Sequence, residues 1–275
     1  MESYQERLRH HLAAYKRDRL GITRSGTFRY RGRDVVHAHI LPRELRWLNV
    51  LEPARAEVRA YISANPGFKL HKYFHHLNSS QAFALNLFYP PLAAGSSASR
   101  PLLEAVAGSG TVATWRFEDV PYEEEGTNVD VTWSQSDGSH TCCEVKLAEE
   151  DFGTAPLDRR HREKLTRIYT DVLTGYVEAN LLTPEVFFSN YQIMRNLWLA
   201  AKRPATRVVF LLPRANQSLW KLLGAVLGSV AGSLRRRVTV TAIEDVLKTL
   251  ESSQTVIPGL HWHAPMLLEK YVPPA

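Results

Sequence analysis

The sequence predicts an α/β fold in which a mixed central β-sheet is flanked by helices. Three observations carry that expectation. Residues Gly126 to Gly153 read as two alternating strands about a tight turn. Arg207 to Leu212, RVVFLL, is a continuous apolar run, the pattern of a strand buried on both faces. Between them Leu165, Ile168, Tyr169, Val172, Leu173 and Tyr176 recur at helical spacing. Strands joined through helical segments give a sheet that mixes a hairpin with parallel additions.

In chain order, residues 2–19 read as a helix with a thin apolar stripe of Leu8, Leu12 and Tyr15 among basic residues. Gly21 to Arg33 is turn-rich, and its arginines, Arg31 and Arg33 among them, alternate with Phe28 and Tyr30. Cations neutralise phosphates and rings stack on bases, so the segment suits nucleic acid as well as it suits a plain β-hairpin. Leu41 to Ala64 reads as one or two helices started by Pro42 and broken at Pro53. After the Asn65-Pro66-Gly67 turn, Asn78 or Ser79 caps a helix carrying Phe83 and Leu87 inward. His71, His75 and His76 precede it. With no carboxylate or cysteine nearby to complete a tetrahedral set, packing or phosphate contact fits them better than zinc. Ala93 to Arg100 reads as a flexible loop of small residues, and Thr111 to Phe117 as the first core strand. Glu118 to Glu125 is an acidic connection expected in solvent.

The hairpin carries the chemistry. Its polar face bears Asp130, Glu144 and Lys146. Their meeting depends on the turn. A two-residue turn at Asp137-Gly138 would turn Asp130 away from Glu144, because a one-residue slip flips every side chain. A three-residue loop, Ser136 to Gly138, sets Asp130 opposite Glu144, and Gly138 supplies the left-handed residue that such a loop needs at its last position. Two opposed carboxylates repel unless a cation lies between them. Mg²⁺, which takes one or two carboxylates and keeps several waters, is the expected ion, with Mn²⁺ as its substitute. The backbone carbonyl of Val145 is a third expected ligand. Lys146 is placed to hold a water or to stabilise charge.

Asp130, a dozen residues of hairpin, then Glu144-Val145-Lys146 resembles the PD-(D/E)XK signature of the restriction-endonuclease-like nucleases. HKYFHHLNSSQAFALNLFYP (His71 to Pro90), TNVD, EVKLAEEDFG and YQIMRN (Tyr191 to Asn196) together look like a bacterial family of restriction endonucleases in that superfamily, from about Ile40 to Leu212. Val129 stands where the signature has proline; the metal chemistry does not need it. The resemblance implies an αβββαβ core with helical additions and metal-dependent phosphodiester hydrolysis, with DNA as substrate and RNA as the alternative. It implies an extra acidic group on the helix before the first core strand, for which Glu104 is the candidate. It also implies a catalytic-face role for the helix expected from Pro184 to Ala201. There Gln192 would hold a water or phosphate oxygen, and Arg195 would neutralise the scissile phosphate.

Beyond the hairpin, Arg159, Arg160, Arg162 and Lys164 could line a phosphate groove or form a solvated face. A helix stripe from Leu219 to Val230, a final strand from Arg237 to Thr241 and a short helix to about Leu250 complete the core. The whole chain is expected as one domain, with a basic helical extension over 1–64, the catalytic core over 65–250 and a tail over 251–275. The chain has 275 residues and a formal net charge of +6, a balance that suits a polyanionic partner. No apolar run reaches the length of a membrane span, and residues 1–21 lack the apolar core of a signal peptide, so a cytoplasmic protein is expected. Cys142 and Cys143, the two cysteines of the chain, are strand neighbours on opposite faces and are expected buried and unbridged. Cutting both strands of a duplex at one place usually needs two sites, which makes a homodimer one option while the sequence leaves oligomeric state open. Two rivals stand beside the nuclease: a nuclease-like binding protein without activity, and a sheet surface in which Lys146 makes an ordinary salt bridge.

Overall fold

The computed structural model describes residues 2–30, 32–108, 110–254 and 257–274. The chain divides into two compact units, Met1–Gly110 with Ile243–Ala275, and Thr111–Ala242.

The first unit is helical apart from a hairpin of β1 (Gly26–Tyr30) and β2 (Arg33–His37). Its opening helix, Tyr4–Asp18, starts with a capping box: Ser3 accepts from the Glu6 N–H while Glu6 reaches back to the Ser3 N–H. The helix Ser80–Ala93 is buried on every side from Gln81 to Leu92. Pro90 lacks an N–H, which leaves the Asn86 carbonyl without its helical donor. His263 Nε2 donates to that carbonyl at 2.7 Å. His263 lies on a helix, His263–Tyr271, inside the stretch expected as an uninformative tail; the helix forms because Ala264, Leu267 and Tyr271 have a core to enter. A second correction concerns Ala93 to Arg100. Gly95, at φ 103°, breaks the chain after one helix, and the next begins directly at Ser96 and runs to Ala107.

The second unit carries a five-stranded mixed sheet in the order β3 (Thr114–Asp119), β4 (Val129–Ser134), β5 (His140–Val145), β6 (Thr206–Leu212), β7 (Val238–Ala242). The first three strands are antiparallel, and β6 and β7 add in parallel through helical connections. The α/β expectation therefore holds. The helix stripe that starts at Leu165 has the predicted inward residues, but Leu165–Thr170 is wound as a π-helix between short α-helical turns. The helix expected over 184–201 is broken at Asn190 into Pro184–Ser189 and Tyr191–Lys202. The second of these lies on the sheet face made by Cys142, Val208, Phe210 and Leu212, and its Ile193, Met194, Leu197 and Trp198 are buried there.

Candidate active site

The β4–β5 hairpin has the three-residue loop. Ser134 pairs with His140, the Gln135 N–H donates to Ser139 O at 2.9 Å, and Gly138 takes φ 81°. Thr132 faces Cys142 and Val131 faces Cys143, so the same register carried one pair further sets Asp130 opposite Glu144. The local cause is the glycine: a residue with a Cβ would resist the left-handed position that closes the loop in this register.

Glu144 is 3% exposed and Lys146, just past the end of β5, is 7% exposed. Lys146 Nζ lies 3.0 Å from Glu144 Oε1 and donates to Gln192 Oε1 at 2.5 Å. The other oxygen of Glu144 accepts from Arg195 NH2 at 3.0 Å and from Asn196 Nδ2 at 3.1 Å. Asp130 keeps partial exposure, and its Oδ2 accepts from the Val145 N–H at 2.7 Å. One helical turn, Gln192 to Asn196, therefore closes over the strand end from above. Gly153, at φ 85°, makes room for it, since a Cβ there would lie 3.3 Å from Gln192 Cδ.

The electrostatics separate the two carboxylates. Burial, with the Glu144 and Glu118 charges beside it, pushes Asp130 well above the usual carboxylate range. Burial also opposes charge on Glu144, but Lys146 and Arg195 outweigh it and hold Glu144 below that range. Burial works against the Lys146 ammonium, and Glu144, Glu149 and Asp130 more than offset it. At neutral pH Lys146 is a cation held between Glu144 and Gln192.

A family comparison bears on this arrangement. The family described as restriction endonuclease associating with ARP matches residues 9–272. The chain belongs to that restriction-endonuclease family. No curated protein and no solved structure matches it.

The family chain brings Asp130, Glu144, Val145, Lys146, Gln192 and Arg195 together around one strand end. Arg195 is 5% exposed and turned onto Glu144, not outward. Glu104 is an exposed residue of the Ser96–Ala107 helix in the first unit. His75 and His76 also belong to the first unit. His75 Nε2 lies 3.1 Å from Thr27 O, and the His76 ring stands edge-on to Phe28 at 5.3 Å. Arg33 is exposed on β2, and Arg31 lies outside the described residues.

Three features were not foreseen. Glu125, expected in solvent, is 5% exposed. Its Oε1 accepts from Tyr169 OH at 2.5 Å, Lys164 Nζ at 3.0 Å and Tyr191 OH at 3.2 Å. It ties the approach to β4 to the residue before Gln192. Asn196 is fully buried on Glu144; its spacing of four from Gln192 was the available signal, since i and i+4 share a helix face. A groove of about 1040 Å³ opens beside Tyr191, with Thr127, Arg160, Lys164 and Arg167 in its walls. Cys142 and Cys143 are buried and free, as expected, and burial pushes the Cys142 thiol up to about 12.

Among the described residues no three His, Cys, Asp or Glu side chains gather as a metal cage. The Asp130 and Glu144 carboxylates stand at opposed positions of the hairpin register, and beside Glu144 the Asn196 Oδ1 is a buried acceptor without a partner. An all-oxygen set with few protein ligands fits Mg²⁺, which retains water, and does not fit zinc.

Proposed function

We propose that the protein is a Mg²⁺-dependent nuclease that hydrolyses phosphodiester bonds of DNA on a restriction-endonuclease-like core. The observation that carries the proposal is the convergence of Asp130, Glu144 and Lys146 across one hairpin. Membership of a restriction-endonuclease family supports the same chemistry. The mixed sheet, three antiparallel strands extended by two parallel ones, supports the α/β part of that reading.

Asp130 and Glu144 would hold the cation, with the Val145 carbonyl beside them. The bound ion supplies a Lewis acid for the phosphate and lowers the pKa of water. Lys146, kept charged by Glu144, is a donor and not a base: it orients the attacking water and stabilises negative charge as it builds on the phosphate oxygens. Gln192 fixes the Lys146 ammonium and is within reach to share that water. Hydrolysis forms one P–O bond from water and breaks one ester P–O bond, and the proton released from water is returned to the leaving alcohol. Arg160 and Arg167, in the groove beside Tyr191, would neutralise phosphates flanking the cut. The family description adds association with ARP, so ARP belongs in the reading as well. Among the described residues no helix is long and apolar enough to cross a membrane.

The test is a Mg²⁺ and Mn²⁺ titration with linear, supercoiled and single-stranded DNA and with RNA, using Glu144→Ala as control. Cleavage of DNA that depends on the ion and is lost in the control supports the proposal. Absence of cleavage of every substrate with both ions would sink it.

A further inference from the structure

Asn196 sits on the Tyr191–Lys202 helix with no exposed surface. Its Nδ2 donates to Glu144 Oε2 at 3.1 Å and to the Gln192 carbonyl at 2.9 Å. Both partners are pure acceptors, so the amide cannot be turned over: an oxygen in that place would face two oxygens. The orientation is therefore fixed, and Oδ1 is left buried without any donor. Buried polar atoms without partners are scarce in folded proteins, and each one calls for a reason. The residue before it repeats the pattern. Arg195 reaches Glu144 with NH2, while its Nε is buried and unpartnered. One helical turn thus leaves an acceptor and a donor unused beside the carboxylate that the nuclease reading gives to a cation.

A bare cation would not satisfy both. A hydrated one would, because its waters donate through hydrogen and accept through oxygen. Mg²⁺ keeps several waters when only one or two carboxylates bind it, which is the number available here. Outer contacts of that kind orient the ligands and typically change metal affinity 10- to 100-fold when removed.

We propose that Asn196 is a positioning residue of the cation site: its Nδ2 fixes the plane of Glu144, and its Oδ1 accepts a hydrogen bond from a hydration water of the divalent ion. The assignment rests on the nuclease reading and adds a residue which that reading does not need.

The test is Mn²⁺ binding to the full chain without nucleic acid, followed by electron paramagnetic resonance, for the parent, Asn196→Leu, Asn196→Asp and Asp130→Asn. Leucine keeps the volume and removes both polar atoms; aspartate keeps acceptor oxygens. The inference expects Asn196→Leu to weaken Mn²⁺ binding about 10-fold or more and Asn196→Asp to bind about 10-fold or more tighter than the leucine variant. It also expects the Mg²⁺ needed for half-maximal cleavage to rise in Asn196→Leu more than the rate at saturating Mg²⁺ falls. Should Asn196→Leu not fold, as judged by circular dichroism, Asn196→Ser against Asn196→Ala provides the same contrast. Equal affinity of the parent and the apolar variant, or equal loss in the apolar and oxygen-bearing variants, overturns the assignment of Oδ1. If Asp130→Asn also binds Mn²⁺ like the parent, the nuclease reading itself falls; if only the Asn196 variants bind like the parent, that reading survives and this inference does not.

Discussion

Lys270 in the first unit and Glu144 in the second are both ionisable residues with almost no exposed surface, at 0% and 3%. Their surroundings differ. Lys270 Nζ donates to Asn49 O at 2.5 Å and to Asn49 Oδ1 at 2.8 Å, and burial drives its pKa well below the usual lysine value. Around it Asn86 donates to Asn49 O at 2.9 Å and to Tyr271 OH at 2.6 Å, and accepts from the Leu51 N–H at 2.8 Å. Burial is met there by pairing the Lys270 amine and the amides with neutral partners. Glu144 instead keeps its charge, between two cations, opposite a second carboxylate that burial and the Glu144 charge push well above the usual carboxylate range, with two unpartnered polar atoms alongside. The first arrangement is complete by itself and serves the fold. The second is electrostatically unfinished, as expected of groups arranged for a ligand.

The largest effects should break the second region without loosening the protein. Lys146→Ala and Asp130→Asn should each lower DNA cleavage by about 10²-fold or more, measured as initial rate at saturating Mg²⁺. Asp130→Asn keeps the acceptor for the Val145 N–H and removes a like-charge neighbour of Glu144, so its unfolding free energy should rise by about 1 kcal/mol. A stability loss in that variant would mean that Asp130 serves the fold. The mirror experiment is Asn86→Ala. It removes three hydrogen bonds from a buried network and should lower the unfolding free energy by about 3 kcal/mol in chemical denaturation, with Mn²⁺ affinity of the folded fraction unchanged.

Acid should also separate the two regions. Burial lowers His39 to about 3 and His263 to about 4, both in the first unit. Each stays neutral in the folded chain while the unfolded chain takes up a proton below about 6.5. Their contribution to stability is therefore present above about pH 6.5 and is lost as pH falls toward those values, by about 1.4 kcal/mol per pH unit for each histidine. Hydrogen exchange at pH 7 and pH 5 should find the protection of the Ser80–Ala93 and His263–Tyr271 helices falling most. The smallest expected effect is Gly153→Ala. Its left-handed backbone and the 3.3 Å approach to Gln192 should cost about 1 kcal/mol of stability and reduce cleavage several-fold by displacing Gln192 from Lys146.

The hairpin was legible because its information is local. Gly138 fixes the loop, the loop fixes the register, and alternation then places Asp130 and Glu144 on one face. The parallel addition of β6 was legible from its unbroken apolar run. What escaped depends on partners far along the chain. Glu125 looks like its acidic neighbours until Lys164, Tyr169 and Tyr191 fold onto it. The Ser96–Ala107 helix opens on small residues that read as loop, and the His263–Tyr271 helix needs the core that the first unit, assembled from both ends of the chain, gives it. Arg195 was expected toward substrate because its charge suits a phosphate, yet the nearer anion, Glu144, holds it.

The central claim is that Asp130 and Glu144 bind one divalent ion together. A Mn²⁺ titration of the parent, Asp130→Asn and Glu144→Gln in the absence of nucleic acid tests it most directly. The account predicts one ion per chain in the parent and a weakening of about 10-fold or more in each variant, in step with the loss of cleavage. Parent-like binding in both variants would contradict it.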